Sequence, residues 1–121
     1  MSALVWVGVA LLGGGGAIAR FLVDRAVSRR FDSSFPLGTL VVNASGALLL
    51  GFLFGVAVRG HAYLLAGTAV LGSYTTFSTW MLESQRLGED GEARALAANV
   101  LLSSVIGLAA AALGRVVGGA L

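Results

Sequence analysis

The chain of 121 residues contains no cysteine and no lysine, and it has a single proline and a single histidine. Without cysteine it forms neither disulfides nor thiolate metal sites, and it has no thiol nucleophile. Charged residues make up 12% of the sequence, about half of the share that is usual in soluble domains. The eight basic residues, all arginines, form no dense basic cluster, so the charge pattern does not indicate a nucleic-acid-binding protein.

Apolar residues are in large excess. They make up 57% of the chain, and the mean hydropathy is +0.90. A single soluble domain of this length cannot bury so much apolar surface, whereas a bilayer needs no polar cover on the lipid-facing side. The composition therefore predicts an integral membrane protein with one domain over residues 1–121.

Four apolar stretches approach the ~20 residues that a helix needs to cross a bilayer. Pro36 suits the first turn of the second stretch. The first stretch runs on without an A-x-A cleavage site, so we expect a retained span rather than a signal peptide. Because the loops are short, consecutive helices should be antiparallel neighbours in a four-helix bundle. The expected spans are residues 3–23, 36–58, 62–82 and 95–117.

Arginines are unevenly distributed between the two sides of this bundle. Four spans place both termini on the same side of the membrane. Five arginines lie in the loops on the opposite side and two lie on the side of the termini, which favours termini outside the cytoplasm. The bias is small enough that insertion in both orientations stays open. The two sets are Arg25, Arg29, Arg30, Arg86 and Arg94, and Arg59 and Arg115.

Two amides fall within the apolar stretches, Asn43 in the second and Asn99 near the start of the fourth. Each belongs to a stripe of small or polar residues at steps of four. Such stripes suit close helix packing, and an amide in a membrane either bonds a neighbouring helix or lines a wet cavity. The residues alone leave both roles open. The stripes are Thr39, Asn43, Ala47, Gly51 and Gly55, and Asn99, Ser103, Gly107 and Ala111.

The third stretch contains the run from Gly72 to Trp80, with five Ser or Thr residues within seven positions. Hydroxyl side chains compete for backbone hydrogen bonds, so a break is plausible, and a continuous Ser/Thr-rich helix is the alternative. A break at that depth requires burial in protein or contact with water. Phe77 and Trp80 flank the hydroxyls, and their positive ring edges suit an anion. Arg20, near the end of the first span, either snorkels to the interface or neutralises a vestibule.

These residues resemble the Fluc (CrcB) fluoride channel family in three patches. The first span is similar to G-G-x-x-G-A-x-x-R, with Leu12 at the first glycine position and Arg20 at the last position. The second matches G-T-L-x-V-N-x-x-G from Gly38 through Asn43 to Gly46. The run from Gly72 to Trp80 is similar to G-G-x-T-T-F-S-T-F. Order, spacing and length agree over essentially the whole chain.

The resemblance implies a passive fluoride-selective channel in the cell (inner) membrane, built as an antiparallel dual-topology dimer with two pores. It also implies a third helix broken at mid-membrane and a central structural sodium ion. Backbone carbonyls of Gly72 and Thr75 would hold that ion. The implied fluoride pathway comprises Arg20, Asn43, Phe77, Ser78, Thr79, Trp80 and Ser103.

Two departures from the family pattern fall at this site. Trp80 replaces the second phenylalanine, and we expect that its ring edge and indole N–H still meet an anion. Ser73 replaces the second glycine of the pair at the break. Because some family members pair two different chains, the partner is either an identical copy or a related chain.

Other functions compete less well. A small multidrug transporter has a similar length and four helices, but it needs a carboxylate inside the first span, and Asp24 lies only at the edge of that span. A non-conducting subunit would leave the polar third stretch without a purpose. An enzyme is the weakest alternative, because the single His61 is peripheral and no acids cluster within a span.

Overall fold

A computed structural model describes residues 2–33 and 35–121, and these residues are helical apart from short connections. Three long helices are apolar enough to cross a membrane: α1 (Ala3–Arg30), α2 (Leu37–Gly55) and α6 (Ala93–Gly119). Between α2 and α6 the chain forms several shorter helical pieces. The Ser2 hydroxyl accepts a hydrogen bond from the Val5 N–H and caps the start of α1.

The region between α2 and α6 comprises α3 (Gly60–Tyr63), a π-helical segment (Leu64–Leu71), α4 (Gly72–Tyr74) and α5 (Ser78–Glu89). The first three pieces follow one another without a gap. The helix is interrupted after Tyr74, where Thr75 adopts an extended conformation with φ −79° and ψ 160°. Helical structure resumes at Ser78.

The helix bounds differ from the expected spans mainly at the polar ends. Helix α1 continues through residues 24–30, which the sequence assigned to a loop, and within this extension the Ser28 hydroxyl donates a hydrogen bond to the Asp24 carboxylate at 3.2 Å. Similarly, α5 continues to Glu89, where the side chain of Gln85 donates to the Glu89 carboxylate. The turn expected at residues 59–61 lies earlier, at residues 56–59, with Ala57 at φ 60°.

Glycines bring α2 and α6 into backbone contact. A methyl group at Gly51 would collide with the carbonyl of Ala111, and one at Gly114 would collide with the carbonyl of Leu48. These helices approach closely because no side chain separates them, as is usual for small-residue stripes in membranes. The contacts run from Gly51 with Ala111 to Gly55 with Arg115, so the residue numbers rise together and α2 and α6 run parallel.

Helix α1 packs along the π-helical segment in the same way. Gly8 lies against Leu65, and Gly16 lies against the backbone of Val70 and the hydroxyl of Ser73. These residue numbers also rise together, so the two segments run parallel. Both parallel pairs agree with the expected alternation of direction along the chain.

Most large apolar side chains face outward. Leu4 is 80% exposed and Leu108 is 74% exposed, whereas the buried apolar core consists of a few residues around Val42 and Leu71. Such an inverted distribution is unstable in water and stable in lipid. The fold therefore places its small and polar residues inside and its apolar surface outside.

Candidate functional site

The side chain of Asn43 holds the interruption between α4 and α5. Its Nδ2 group donates to the Thr76 carbonyl at 2.9 Å, and its Oδ1 accepts from the Thr76 N–H at 2.8 Å. This pair of bonds determines which side-chain atom of Asn43 is the nitrogen and which is the oxygen, because only the nitrogen can donate. Asn43 thus replaces the backbone partners that Thr76 would have in a continuous helix. Gly46, one turn further along α2, packs against the Thr75 side chain, so α2 runs antiparallel to this region.

Two backbone carbonyls lose their helical hydrogen bonds because the N–H groups that would donate to them bond to side chains instead. In an α-helix the Thr76 N–H would donate to the Gly72 carbonyl, but it donates to Asn43. The Thr79 N–H would donate to the Thr75 carbonyl, but it donates to the Thr76 hydroxyl at 3.2 Å. The Gly72 and Thr75 carbonyls therefore lose their usual helical donors, and both residues line one cavity.

That cavity is an open groove of about 750 Å³ on one side of the interruption. Its walls are mostly apolar, with a polar strip contributed by Asn43, Thr75, Thr76 and Ser103. Phe77 projects into it and is 70% exposed. The Phe77 and Trp80 rings meet edge to face, with centroids 5.8 Å apart and planes at 79°. Positive ring edges of such a pair are available to an anion in the groove.

The indole N–H of Trp80 is not available to an anion, contrary to the expectation from sequence. It donates to the backbone carbonyl of Asn99 at 3.1 Å. Asn99 is 1% exposed, and its Nδ2 donates to the Ser84 hydroxyl at 2.8 Å. The Ser103 hydroxyl in turn donates to Asn99 Oδ1 at 3.3 Å. Of the two roles left open for Asn99, the structure supports a bond between helices.

Arg20 lies outside the groove, in a second cavity of about 190 Å³. Thr79 lines this second cavity with Arg20, while Thr76 lines both cavities. The expected pathway residues are therefore divided between two spaces that meet at the interruption. Ser78 begins α5 and is exposed, and it lines neither of these two cavities.

Sequence reasoning did not assign Thr39 or Thr76 to the site. Thr39 is 2% exposed and lines the second cavity. Its hydroxyl lies beside the Glu83 carboxylate but forms no hydrogen bond of standard geometry within the described residues. Thr39 belonged to the same small-residue stripe as Asn43, and that shared face was the available signal.

A helical bundle with outward apolar surfaces, a groove that carries a polar strip and a smaller polar cavity defines a multi-pass membrane protein. The family model described as "CrcB-like protein, Camphor Resistance (CrcB)" matches residues 7–115. The chain therefore belongs to the CrcB family, as its three motifs predicted, and it is not an enzyme.

Individual relatives agree with this assignment. A protein of Mycolicibacterium paratuberculosis named "Fluoride-specific ion channel FluC 2" is 64% identical over 111 residues, which cover 92% of this chain and 91% of the relative. A protein of the same name from Mycobacterium tuberculosis is 57% identical over 115 residues, covering 95% of this chain and 91% of the relative. "Fluoride-specific ion channel FluC 1" of Nocardia farcinica is 46% identical over 102 residues, covering 84% and 72%.

Proposed function

We propose that this chain forms a fluoride-selective channel that lets fluoride leave the cell passively and so limits its toxicity. The observation that carries the proposal is the Asn43 clamp, which holds an interrupted helix open between the groove with its polar strip and the smaller cavity. The names of the similar proteins supply the identity of the ion. Fluoride would pass the interruption beside Thr76, which borders both spaces.

Few strong donors face this path, which suits a small anion that must bind and then leave. Asn43 has a second Nδ2 hydrogen beyond the one given to Thr76. The Thr76 hydroxyl accepts from the Thr79 N–H, so its own hydrogen stays available. The ring edges of Phe77 and Trp80 continue the path along the groove. Arg20 would draw anions into the smaller cavity.

In this proposal residues 60–89 cross the bilayer as a fourth span that is broken at mid-membrane. The groove is open on one side and Phe77 is largely exposed in a single chain, so a second chain is needed to close the path. We place that chain antiparallel to the first, which gives a dual-topology dimer with two pores. Either an identical or a related chain would serve.

A structural sodium ion fits the released carbonyls of Gly72 and Thr75. Sodium is a hard cation that prefers oxygen donors, and carbonyls without helical donors supply them. The described residues hold no cluster of three or more His, Cys, Asp or Glu side chains for a metal, so carbonyl ligands are the suitable set here. When bound, the ion would offset part of the cost of dehydrating a nearby anion.

Passive movement is favoured over proton-coupled transport. The acids nearest the path are Asp24, which lines the smaller cavity together with Arg20, and Glu83, which lies beside Thr39; neither takes part in the Asn43 clamp. A multidrug-type transporter would need a carboxylate within the first span. The remaining alternative is a non-conducting subunit of a two-chain channel. In that case the purified chain alone would move no fluoride.

The deciding experiment measures ion efflux from liposomes that contain only this purified chain. Liposomes loaded with potassium fluoride are treated with a potassium ionophore, and a fluoride electrode records release. Chloride-loaded liposomes with a chloride electrode provide the control. Fast fluoride release with slow chloride release supports a self-sufficient channel. Release of neither ion refutes it for the single chain, and co-expression with a related chain then tests the subunit alternative.

A further inference from the structure

The hydrogen bonds between α5 and α6 form a closed ring around Trp80 and Asn99. The Trp80 indole donates to the backbone carbonyl of Asn99, and the side-chain amide of Asn99 donates to the Ser84 hydroxyl. The Ser84 hydroxyl donates to the Trp80 carbonyl at 2.9 Å, which closes the ring. Each of the three residues therefore both donates and accepts, so none of these polar groups is left unpaired in an apolar setting.

This ring lies where α5 has few other anchors. The contacts of α5 are chiefly with α6, and they include a close approach of Gly88 to Leu96 beyond the ring. At the ring itself, a buried asparagine occupies a position at which an alanine or leucine would serve packing alone. A buried amide at this position indicates that the orientation of α5 relative to α6 matters, because hydrogen bonds fix orientation and apolar contacts do not.

We propose that the Asn99 side chain is a positioning group: its bond to Ser84 sets α5 against α6 so that the Trp80 indole reaches the Asn99 backbone carbonyl, and this fixes the Trp80 ring as the selectivity element of the groove. This inference rests on the proposed channel function. With its N–H committed to α6, Trp80 offers an anion only ring hydrogens, which favour a small ion at close range over a larger one. Through its Oδ1, Asn99 also holds the hydrogen of the Ser103 hydroxyl away from the groove.

The experiment uses the full chain with Trp6→Phe, so that Trp80 is the only tryptophan that emits. Three substitutions are compared: Asn99→Ala, Ser84→Ala, and Gln85→Ala as the control. Gln85 is exposed on the same helix, and its side chain donates to the Glu89 carboxylate. Ser84→Thr keeps the hydroxyl and serves as the conservative rescue. Each protein is purified by size exclusion, and Trp80 emission and acrylamide quenching are recorded.

We expect Asn99→Ala and Ser84→Ala to move Trp80 emission to longer wavelength and to increase quenching. Gln85→Ala and Ser84→Thr should leave both unchanged. In liposomes, the ratio of fluoride to chloride efflux should fall about threefold in each of the two alanine variants, the size expected for one bond between membrane helices. In a Trp80→Phe background the Ser84→Ala substitution should no longer change that ratio.

Unchanged Trp80 emission in both alanine variants would overturn the inference. So would an equal fall in the efflux ratio with tryptophan and with phenylalanine at position 80, because the effect would then not act through the indole. If Asn99→Ala fails to fold, Ser84→Ala still decides, since it leaves the amide in place. If the unsubstituted protein moves no fluoride, the proposed function fails, whereas the fluorescence results still test the positioning role.

Discussion

Replacing Asn43 by alanine removes both hydrogen bonds that hold the interruption. These bonds join residues 33 positions apart at 2.9 and 2.8 Å. Hydrogen bonds between membrane helices contribute about 0.6 kcal/mol on average and at most about 1.7. A peptide group left unpaired in a dry site costs about 1–3 kcal/mol, but the open groove gives water access to Thr76. We therefore expect Asn43→Ala to lower the free energy of unfolding by about 1–3 kcal/mol.

The assay is unfolding in mixed micelles with increasing sodium dodecyl sulfate, followed by tryptophan fluorescence. Asn43→Asp is a variant of matched size, but an ionised carboxylate would set an oxygen against the Thr76 carbonyl and carry a charge into a span, so it should destabilise at least as much as alanine. Amide hydrogen exchange at Thr76 should quicken in Asn43→Ala, which leaves the Thr76 N–H without its acceptor. Gln85→Ala is the control, because it removes an exposed amide that bonds within its own helix. If Asn43→Ala unfolds within about 0.5 kcal/mol of the unsubstituted protein, the clamp is not what stabilises the interruption.

Three further predictions concern packing and the groove. Gly114→Ala should destabilise the chain by about 1–3 kcal/mol in the same unfolding assay, because the methyl meets a backbone carbonyl of α2 that cannot move aside. Phe77→Leu should slow fluoride efflux at least tenfold while changing the stability of the single chain little, since the ring is 70% exposed there. Tyr74→Phe should cost about 0.6 kcal/mol by removing the 2.9 Å bond between its hydroxyl and Ser45.

Each of these has its own control. Gly15→Ala places the methyl in open space, so equal stability of the Gly114 and Gly15 variants would contradict the packing argument. For Phe77→Leu, fluoride efflux at the unsubstituted rate would show that the ring edge does not face the ion. For the hydroxyl pair, Ser45→Ala and the double variant complete a cycle, and strict additivity would mean that the two groups do not interact.

The three long helices could be predicted from the sequence because apolar length is a strong signal that needs no tertiary information. Their ends could not, because residues 24–30 are polar on the surface and yet helical. The interruption was one of two alternatives, because the residues alone also allowed a continuous Ser/Thr-rich helix. Glycine and closely spaced hydroxyls weaken a helix locally, and the interruption falls within the run from Gly72 to Trp80 that has this composition.

The partners of the site residues were beyond sequence reasoning. Asn43 was expected as a donor in a membrane, but its bond to Thr76 depends on how α2 meets a distant segment. Similarly, the hydrogen bond from the Trp80 indole N–H to the Asn99 backbone carbonyl depends on the register of α5 against α6. The π-helical stretch Leu64–Leu71 has no sequence signal that we recognise, since its composition suits an ordinary helix equally well. Local composition thus locates the weak point, whereas tertiary contacts decide what stabilises it.

The distance along the chain between Asn43 and Thr76 has a consequence for biosynthesis. While the ribosome is still adding residues, α2 reaches the bilayer before its partner segment has emerged. During that interval the Asn43 amide has no Thr76 to bond, and the later segment must enter either as an unbroken helix or with its polar backbone hydrated. In the proposed topology, the paired bond between Asn43 and Thr76 is therefore completed during assembly rather than during insertion, once both segments have entered the membrane.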